Sequence, residues 1–218
     1  MKSSLLVLRI VLLLFGMETF ALAGPNILTT IPEEPKPDSR FVFYVHGKII
    51  EDQGRQAEHP RFGIYEYDAI LEALEARGYV VISEQRKRGT KIGRYGAKIV
   101  DQIETLLAKG VPADRITVVG FSKGGKITLS VSARVKAPIR YVLLASCPGR
   151  GITSKAHGRV LAIREASDLS VGSCIPLFDR SKRLLEHSEL VVKTGGGHGA
   201  FYNPNETWLE PTVEWIEK

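Results

Sequence analysis

A serine flanked by glycines lies near the middle of the sequence, as Ser122 in the G-F-S-K-G segment 120–124. A serine hydroxyl becomes a useful nucleophile when an adjacent base removes its proton. Of the five histidines, His198 has the position that suits a base, since it follows the serine in the chain and lies in the glycine-rich segment 195–199. The two residues together indicate covalent chemistry at a carbonyl carbon.

An acidic residue is needed to orient the imidazole, and we expect it after a strand that lies between the serine and the histidine in the chain. Asp168 fits, because it follows the apolar run 160–163 and precedes His198 by thirty residues. Asp179 is the alternative, although its neighbours place it near the start of a helix, where an acidic side chain commonly acts as a cap or dipole partner. The expected trio is therefore Ser122, Asp168 and His198.

These side chains need a scaffold, and short apolar runs alternate along the chain with segments of helical spacing. The runs are Phe41 to Val45, Tyr79 to Ile82, Ile116 to Val119, Tyr141 to Ala145, Val160 to Ile163 and Leu190 to Val192. The helical segments lie near 67–74, 99–107 and 127–131, around Leu177, Leu184 and Leu185, and from about Thr207 to Lys218 after Asn205. This alternation predicts an α/β fold, with an open, mostly parallel sheet of about six strands and helices on both faces.

Ser122 follows the third apolar run directly and opens a helix, which is the strand-turn-helix context of a nucleophile elbow. The elbow, the strand that ends in His-Gly at 46–47, and the order Ser122, Asp168, His198 resemble the α/β-hydrolases. The resemblance spans nearly all of residues 40–218. It implies a triad in which His198 takes the proton of Ser122, Asp168 holds the imidazole, and backbone amides stabilise the oxyanion.

By the same resemblance, the oxyanion amides would be those of Lys48 and Lys123. The segment 83–90 corresponds to an acidic-x-Arg-Gly turn of many family members, so we interpret Glu84 and Arg86 as a structural loop pair. Between Cys147 and Gly158 the chain is too short for the helical cap that many members carry. We therefore expect a small enzyme without a cap domain and with an open site.

The first residues have the pattern of a secretory signal peptide. Basic residues precede an apolar run from Ile10 to Met17, and Ala21-Leu22-Ala23 supplies small residues for cleavage. The alternative, an N-terminal membrane anchor, would need about 20 apolar residues. We predict a signal peptide at 1–23, an extended lead-in at 24–39, a hydrolase domain at 40–218, and a secreted or periplasmic protein with no stable membrane anchor.

Two cysteines, Cys147 and Cys174, follow neighbouring predicted strands on the catalytic side. In an oxidising compartment such a pair is a candidate disulfide, and the alternative is two buried free thiols. A bridge would fasten the loop that carries Asp168.

The formal net charge is +6, and basic residues follow several strand ends. They are Lys48, Arg86, Lys87, Arg88, Lys91, Lys123 and Arg150. A basic rim around the site would favour anionic esters or anionic surfaces; the alternative is a solvated surface without a substrate role. The expected partner is a small-molecule acyl substrate. We expect no nucleic-acid partner, because no exposed aromatic residues are interleaved with the cluster. No metal or other cofactor is expected, because the histidines and cysteines lack ligand spacing.

Three functions follow from this pattern. The first is a serine hydrolase that cleaves carboxylic esters through an acyl-enzyme. The second is an amidase, peptidase or acyltransferase that uses the same triad. The third is a catalytically silent binding protein with the same fold, against which the intact trio argues.

Overall fold

The computed structural model describes residues 26–147 and 155–218. Its nine strands are β1 (Ile27–Leu28), β2 (Phe41–Val45), β3 (Glu58–His59), β4 (Gly63–Ile64), β5 (Val80–Ile82), β6 (Ile116–Phe121), β7 (Arg140–Leu144), β8 (His157–Glu165) and β9 (Arg183–Val192). Seven of them form one parallel sheet in the order β1-β5-β2-β6-β7-β8-β9. Strands β3 and β4 form a separate antiparallel pair. The open parallel sheet predicted from the sequence is confirmed, with seven strands against about six.

The helices lie on both faces of this sheet. They are α1 (Lys48–Gln53), α2 (Tyr67–Glu75), α3 (Ile92–Ala108), α4 (Lys123–Ser132), α5 (Ile175–Arg180) and α6 (Glu206–Glu217), with 3₁₀ turns at Ala113–Arg115 and Gly197–Phe201. One apolar core joins α3 and α4 to alternate residues of the strands, and a second core joins α2 and α6 to the others. This division follows from the two-residue period of a strand, which points successive side chains to opposite faces.

The last helix begins as predicted, because the Asn205 side chain accepts a hydrogen bond from the Thr207 amide at 2.9 Å. The helix predicted around Leu177, Leu184 and Leu185 was wrong in part. Leu177 lies in α5, but Leu184 and Leu185 lie in β9 rather than in a helix. The reason is pairing over a long stretch, since β9 pairs with β8 from Arg183 to Val192 with one register shift at Leu185, and such tertiary pairing overrides the local spacing.

The segment predicted as an extended lead-in contains β1, which pairs in parallel with β5. Among the described residues, no helix is long and apolar enough to cross a bilayer. Because the strands of the main sheet run in parallel, the residues that follow β2, β6, β8 and β9 all lie along the same edge. Ser122 comes directly after one of these strand ends, and the start of α1, Asp168 and His198 follow the others within six residues, so the topology alone gathers them on one side of the molecule.

Candidate active site

The backbone at Ser122 has the strained geometry of a nucleophile elbow. Its φ is +53°, in the left-handed region that few non-glycine residues adopt. The turn is fixed by the Ser122 amide, which donates to the Leu144 carbonyl at 2.9 Å. A Cβ atom at Gly124 would collide with the Val45 carbonyl, so only glycine allows α4 to approach β2 this closely. The elbow therefore holds the serine at the carboxyl edge of the sheet.

The structure brings the three predicted side chains together. His198 Nε2 lies 2.9 Å from Ser122 Oγ, and His198 Nδ1 lies 2.6 Å from Asp168 Oδ2. An ionised carboxylate can only accept, so the Nδ1 proton is donated to Asp168 and Nε2 is left to accept the serine proton. The Ser122 hydroxyl is thus within reach of a correctly oriented base.

Asp168 is buried, and its other carboxylate oxygen accepts hydrogen bonds from the Ser170 amide at 3.0 Å and the Ser170 hydroxyl at 2.6 Å. Burial alone would raise the pKa of Asp168, but the hydrogen bonds from Ser170 and His198 bring that pKa below its ordinary value. Asp168 therefore stays ionised beside the imidazole. Asp179, the alternative acid, is exposed on α5, and Asp168 occupies the position beside His198 Nδ1.

A second carboxylate, which the sequence reasoning missed, holds the two loops that carry Asp168 and His198. Glu165 is 1% exposed and accepts from the backbone amides of Thr194 and Gly195, both at 3.0 Å. Its other oxygen accepts from the amide and the hydroxyl of Ser167. Burial alone would raise the pKa of Glu165, but these donors lower it overall. Glu165 thus joins the loop after β8 to the loop after β9.

The two residues that the resemblance implies for the oxyanion site, Lys48 and Lys123, are the first residues of α1 and α4. The first amides of a helix have no acceptor within that helix, and the helix dipole favours negative charge beside them. Both helices start at the strand ends next to the serine, since β2 is the neighbour of β6. Lys48 also lines the cleft at Ser122.

A buried ionic network lies behind the elbow, and it corrects the expected pairing of Glu84 with Arg86. Glu51 accepts from Arg86 Nε at 2.8 Å and from Lys123 Nζ at 2.5 Å, while Glu84 pairs with Lys98 at 2.6 Å. The side chains of Glu51 and Arg86 are fully buried. Arg86 and Lys123 share one carboxylate, so Glu51 offsets part of the positive charge behind the elbow.

The network also corrects the predicted basic rim. Arg86 is buried and Lys123 is largely covered by its pair with Glu51, so neither extends into solvent as a free cation. Lys48, Lys87, Arg88 and Lys91 are exposed as expected. Arg150, the last of the predicted set, lies outside the described residues.

His46 has a structural place beside this network. Its Nε2 accepts from the Arg86 amide at 2.9 Å, so the proton is on Nδ1, which donates to the Gly47 carbonyl at 2.8 Å. Burial and the nearby Arg86 charge lower the pKa of His46 to about 3. The ring is therefore neutral, and it fixes the turn from β2 to α1 rather than moving a proton.

An open cleft of about 350 Å³ gives access to Ser122 and His198. Its walls include Lys48 and Asp52 of α1 and two residues that sequence reasoning did not select, His59 and Tyr202. His59 stacks on Phe62, with 4.6 Å between the ring centroids, and Phe62 meets Tyr202 edge to face. The β3–β4 hairpin thus supplies an aromatic wall, for which the sequence carries no local catalytic signal.

Cys147 and Cys174 form the predicted disulfide, with 5.2 Å between their Cα atoms. The Gly172 amide donates to the Cys147 carbonyl at 2.8 Å, so the same two segments are joined twice. The bridge fastens the loop that follows Asp168 to the end of β7. Within residues 26–147 and 155–218, no group of three or more His, Cys, Asp or Glu side chains is placed to hold a metal ion.

Comparisons with known proteins agree with this architecture. A family model described as Phospholipase/Carboxylesterase matches residues 80–155. No match to a curated protein was found. Among solved structures, the chain is similar to the Pyrococcus furiosus esterase Pf2001, with 16% identity over 84% of this chain and 83% of that one and a TM-score of 0.62.

Two further structures have the same fold. The α/β hydrolase MGS-M1 from a Medee basin deep-sea metagenome library is 16% identical over 86% of this chain and 88% of its own, with a TM-score of 0.56. Est1E from Butyrivibrio proteoclasticus, solved with ferulic acid, is 13% identical over 86% and 94%, with a TM-score of 0.54. The chain has the α/β-hydrolase fold, and the resemblance inferred from its sequence is confirmed at that level.

Proposed function

We propose that the protein is a serine hydrolase that cleaves carboxylic esters through an acyl-enzyme on Ser122. The observation that carries the proposal is the continuous path from Ser122 Oγ through His198 to Asp168, at 2.9 and 2.6 Å. The phospholipase/carboxylesterase match and the esterases among the similar structures support an ester rather than another acyl compound.

In the acylation step, His198 Nε2 takes the Ser122 proton as Oγ bonds to the ester carbonyl carbon. The carbonyl oxygen becomes an oxyanion, for which we assign the Lys48 and Lys123 backbone amides as donors. His198 becomes an imidazolium beside the ionised Asp168, which stabilises that charge. The tetrahedral intermediate then collapses, the carbon–oxygen bond to the alcohol breaks, and the alcohol leaves with the proton from His198.

Deacylation repeats these steps with water as the nucleophile. His198 removes a proton from water, the hydroxide bonds to the acyl carbon, and the same two amides receive the second oxyanion. Collapse of this intermediate releases the acid and returns the proton to Ser122 Oγ. The open cleft gives water direct access to the acyl-enzyme.

We also propose that the protein acts outside the cytoplasm. The disulfide between Cys147 and Cys174 supports this location, because such bonds form and persist in oxidising compartments. Measurement of the N-terminal residue of the exported protein tests the predicted cleavage after Ala23.

The experiment that tests the function combines turnover with covalent labelling. The wild type, Ser122→Ala and the control Ser188→Ala, an exposed serine on β9, are incubated with 4-nitrophenyl esters of graded chain length. A fluorophosphonate is then added and the adduct is located by mass spectrometry. We expect turnover and one adduct on Ser122 in the wild type and the control, and neither in Ser122→Ala.

Matched amide substrates and an added acceptor alcohol separate the alternatives. Faster turnover of the amide would identify an amidase or peptidase, and an ester of the acceptor as the main product would identify an acyltransferase. Absence of both adduct and turnover in the wild type would leave a silent binding protein.

A further inference from the structure

A cavity larger than the catalytic cleft lies beside it and is not used by the proposed mechanism. It has a volume of about 640 Å³ and is lined by residues 84–91 together with Arg94, Tyr95 and Lys98 of α3. We call it the basic groove. At about 350 Å³, the catalytic cleft is roughly half its size.

The charge in the basic groove is mainly positive. Its lining holds one carboxylate, Glu84, and six cationic side chains: Arg86, Lys87, Arg88, Lys91, Arg94 and Lys98. Three of the cations have a carboxylate partner, since Arg86 pairs with Glu51, Arg88 lies 3.6 Å from Asp52, and Lys98 pairs with Glu84. Among the described residues, Lys87, Lys91 and Arg94 have no carboxylate within 4.0 Å. Clustered cations of this kind repel each other and attract an anion into a concave surface.

The start of α3 adds to this positive potential. The helix has 17 residues, its first turn carries no acidic residue, and Lys91 at its N-cap makes no side-chain capping bond. Basic residues at a helix N-terminus oppose the helix dipole, where an acidic side chain would stabilise it. A bound anion would relieve this repulsion.

Arg86 supplies an independent sign of a missing acceptor. Its side chain is fully buried, with Nε on Glu51 and Nη2 on the His46 carbonyl, yet its buried Nη1 has no hydrogen-bond partner in the described residues. A buried N–H group without an acceptor is costly. Arg86 also lines the basic groove, so this unsatisfied donor belongs to the wall of the cavity.

The groove and the catalytic cleft share a wall. Asp52 lines the cleft, and its carboxylate pairs with Lys48 of the cleft and lies 3.6 Å from Arg88 Nε of the groove. Glu51, one residue earlier on α1, joins Arg86 to Lys123, the residue after the nucleophile. The groove and the cleft therefore adjoin at the contact between Arg88 and Asp52.

We propose that the basic groove binds an anionic group of the substrate, a carboxylate or a phosphate, while the ester carbonyl lies at Ser122. The substrate class is then an ester that carries a negative charge away from the bond that is cleaved. This inference rests on the proposed ester hydrolysis, but the groove can be tested apart from it.

Matched esters measure the preference for charge. One pair places a carboxylate on the acyl side, as the mono-4-nitrophenyl ester of glutaric acid against 4-nitrophenyl pentanoate. A second pair places it on the alcohol side, as 4-acetoxybenzoate against phenyl acetate. For each pair the readout is the ratio of kcat/KM for the anionic ester to kcat/KM for the neutral ester.

Two double variants remove equal charge from different places. Lys91→Gln/Arg94→Gln changes the groove, and Lys136→Gln/Lys182→Gln changes two exposed lysines next to the amino ends of β7 and β9. We expect the wild type to prefer the anionic ester in at least one pair. The groove variant should lower that preference about tenfold, since each exposed charge pair contributes a few-fold, and the control should change it less than about twofold.

Equal effects of the two double variants, or no effect of either, would overturn the proposal, since net charge alone would then account for the rates. Inorganic phosphate separates a substrate group from a free anion. We expect phosphate to compete with the anionic ester and to spare the neutral one. If phosphate slows both esters through the groove, the groove holds a separate anion and the substrate assignment is wrong.

Calorimetry with inorganic phosphate on Ser122→Ala protein keeps the two proposals distinct. If the wild type cleaves neutral esters but phosphate binding does not depend on Lys91 and Arg94, the groove proposal fails and ester hydrolysis stands. If no ester is cleaved yet phosphate binds through these residues, ester hydrolysis and the substrate assignment fail, and the anion site itself stands.

Discussion

The nucleophile and the base are supported by two different carboxylates, on opposite sides of the candidate active site. Behind Ser122, Glu51 is surrounded by full positive charges, those of Arg86 and Lys123. Behind His198, Glu165 is surrounded by neutral donors, the amides of Thr194 and Gly195 and the Ser167 hydroxyl. Both carboxylates are buried, so the difference lies in their partners and not in their exposure.

This difference matches what each side does in the proposed reaction. The elbow keeps one geometry throughout, and a buried ionic network is rigid because separating its charges is expensive. The base side changes charge in every cycle, as His198 becomes an imidazolium and returns. Neutral amides around Glu165 hold the loops while leaving Asp168 as the carboxylate in contact with the imidazole.

The largest effect on the base side is expected from Asp168→Asn. An asparagine keeps the size of the side chain but cannot fix the imidazole tautomer as a carboxylate does, so kcat should fall by roughly 10³–10⁴-fold. The measurement is steady-state turnover of a 4-nitrophenyl ester. The matched control is Asp179→Asn on α5, which should keep wild-type turnover; a loss there with none at Asp168 would reverse the assignment.

On the nucleophile side, Glu51→Gln should act first on stability. The change leaves Arg86 and Lys123 without their shared counter-charge, and breaking such a buried pair costs about 3–5 kcal/mol of the free energy of unfolding. Urea denaturation measures the loss. Glu84→Gln, which breaks a partly exposed pair with Lys98, should cost less than about 1 kcal/mol.

Equal losses in these two variants would mean that the Glu51 network contributes no more than a surface pair. The proposed difference between the Glu51 side and the Glu165 side would then be wrong, because the backbone alone would hold the elbow. A loss confined to Glu51→Gln would instead assign the rigidity of the elbow to the buried charges.

Local signals made most of the sheet and the trio predictable. The elbow combines a buried strand, a serine between glycines and a following helix within a short stretch, and His198 lies in a glycine-rich segment right after a strand end. The order of the strands along the chain then places Ser122, Asp168 and His198 on one edge of a parallel sheet. None of these steps needs a contact between distant residues.

The supporting groups could not be predicted, because their partners are far away in the chain. Arg86 and Glu51 are separated by 35 positions, Lys123 and Glu51 by 72, and Glu165 and Gly195 by 30. From the sequence alone, a charged residue is expected to be exposed to solvent, and only the fold shows that it is buried. The helix predicted at Leu184 and Leu185 was wrong for the same reason, because the pairing of β9 with β8 decides the conformation of this segment.

The smallest effect is expected from Glu165→Gln, which tests whether the base side depends on charge at all. Glutamine keeps an oxygen for the Thr194 and Gly195 amides, but its NH₂ group cannot accept from Ser167. The loops should then hold His198 less well, and kcat should fall about tenfold with KM nearly unchanged, as expected for lost positioning. The control is Gln102→Glu on α3, which makes the reverse substitution at nearly the same side-chain size and should leave kcat unchanged.

The free energy of unfolding, measured against pH in the wild type and in Glu165→Gln, tests whether the charge of Glu165 holds the two loops. The pKa of Glu165 is lowered in the folded protein, so its stabilisation is present above its unfolded pKa of about 4.3 and is lost as the pH falls through the folded value. The free energy of unfolding of the wild type should therefore decline on acidification below that range, and less steeply in Glu165→Gln, which has no proton to gain there. Parallel declines in the two proteins would show that the charge of Glu165 does not hold the loops, and that Asp168, whose pKa is lowered as well, accounts for the acid sensitivity of the base side.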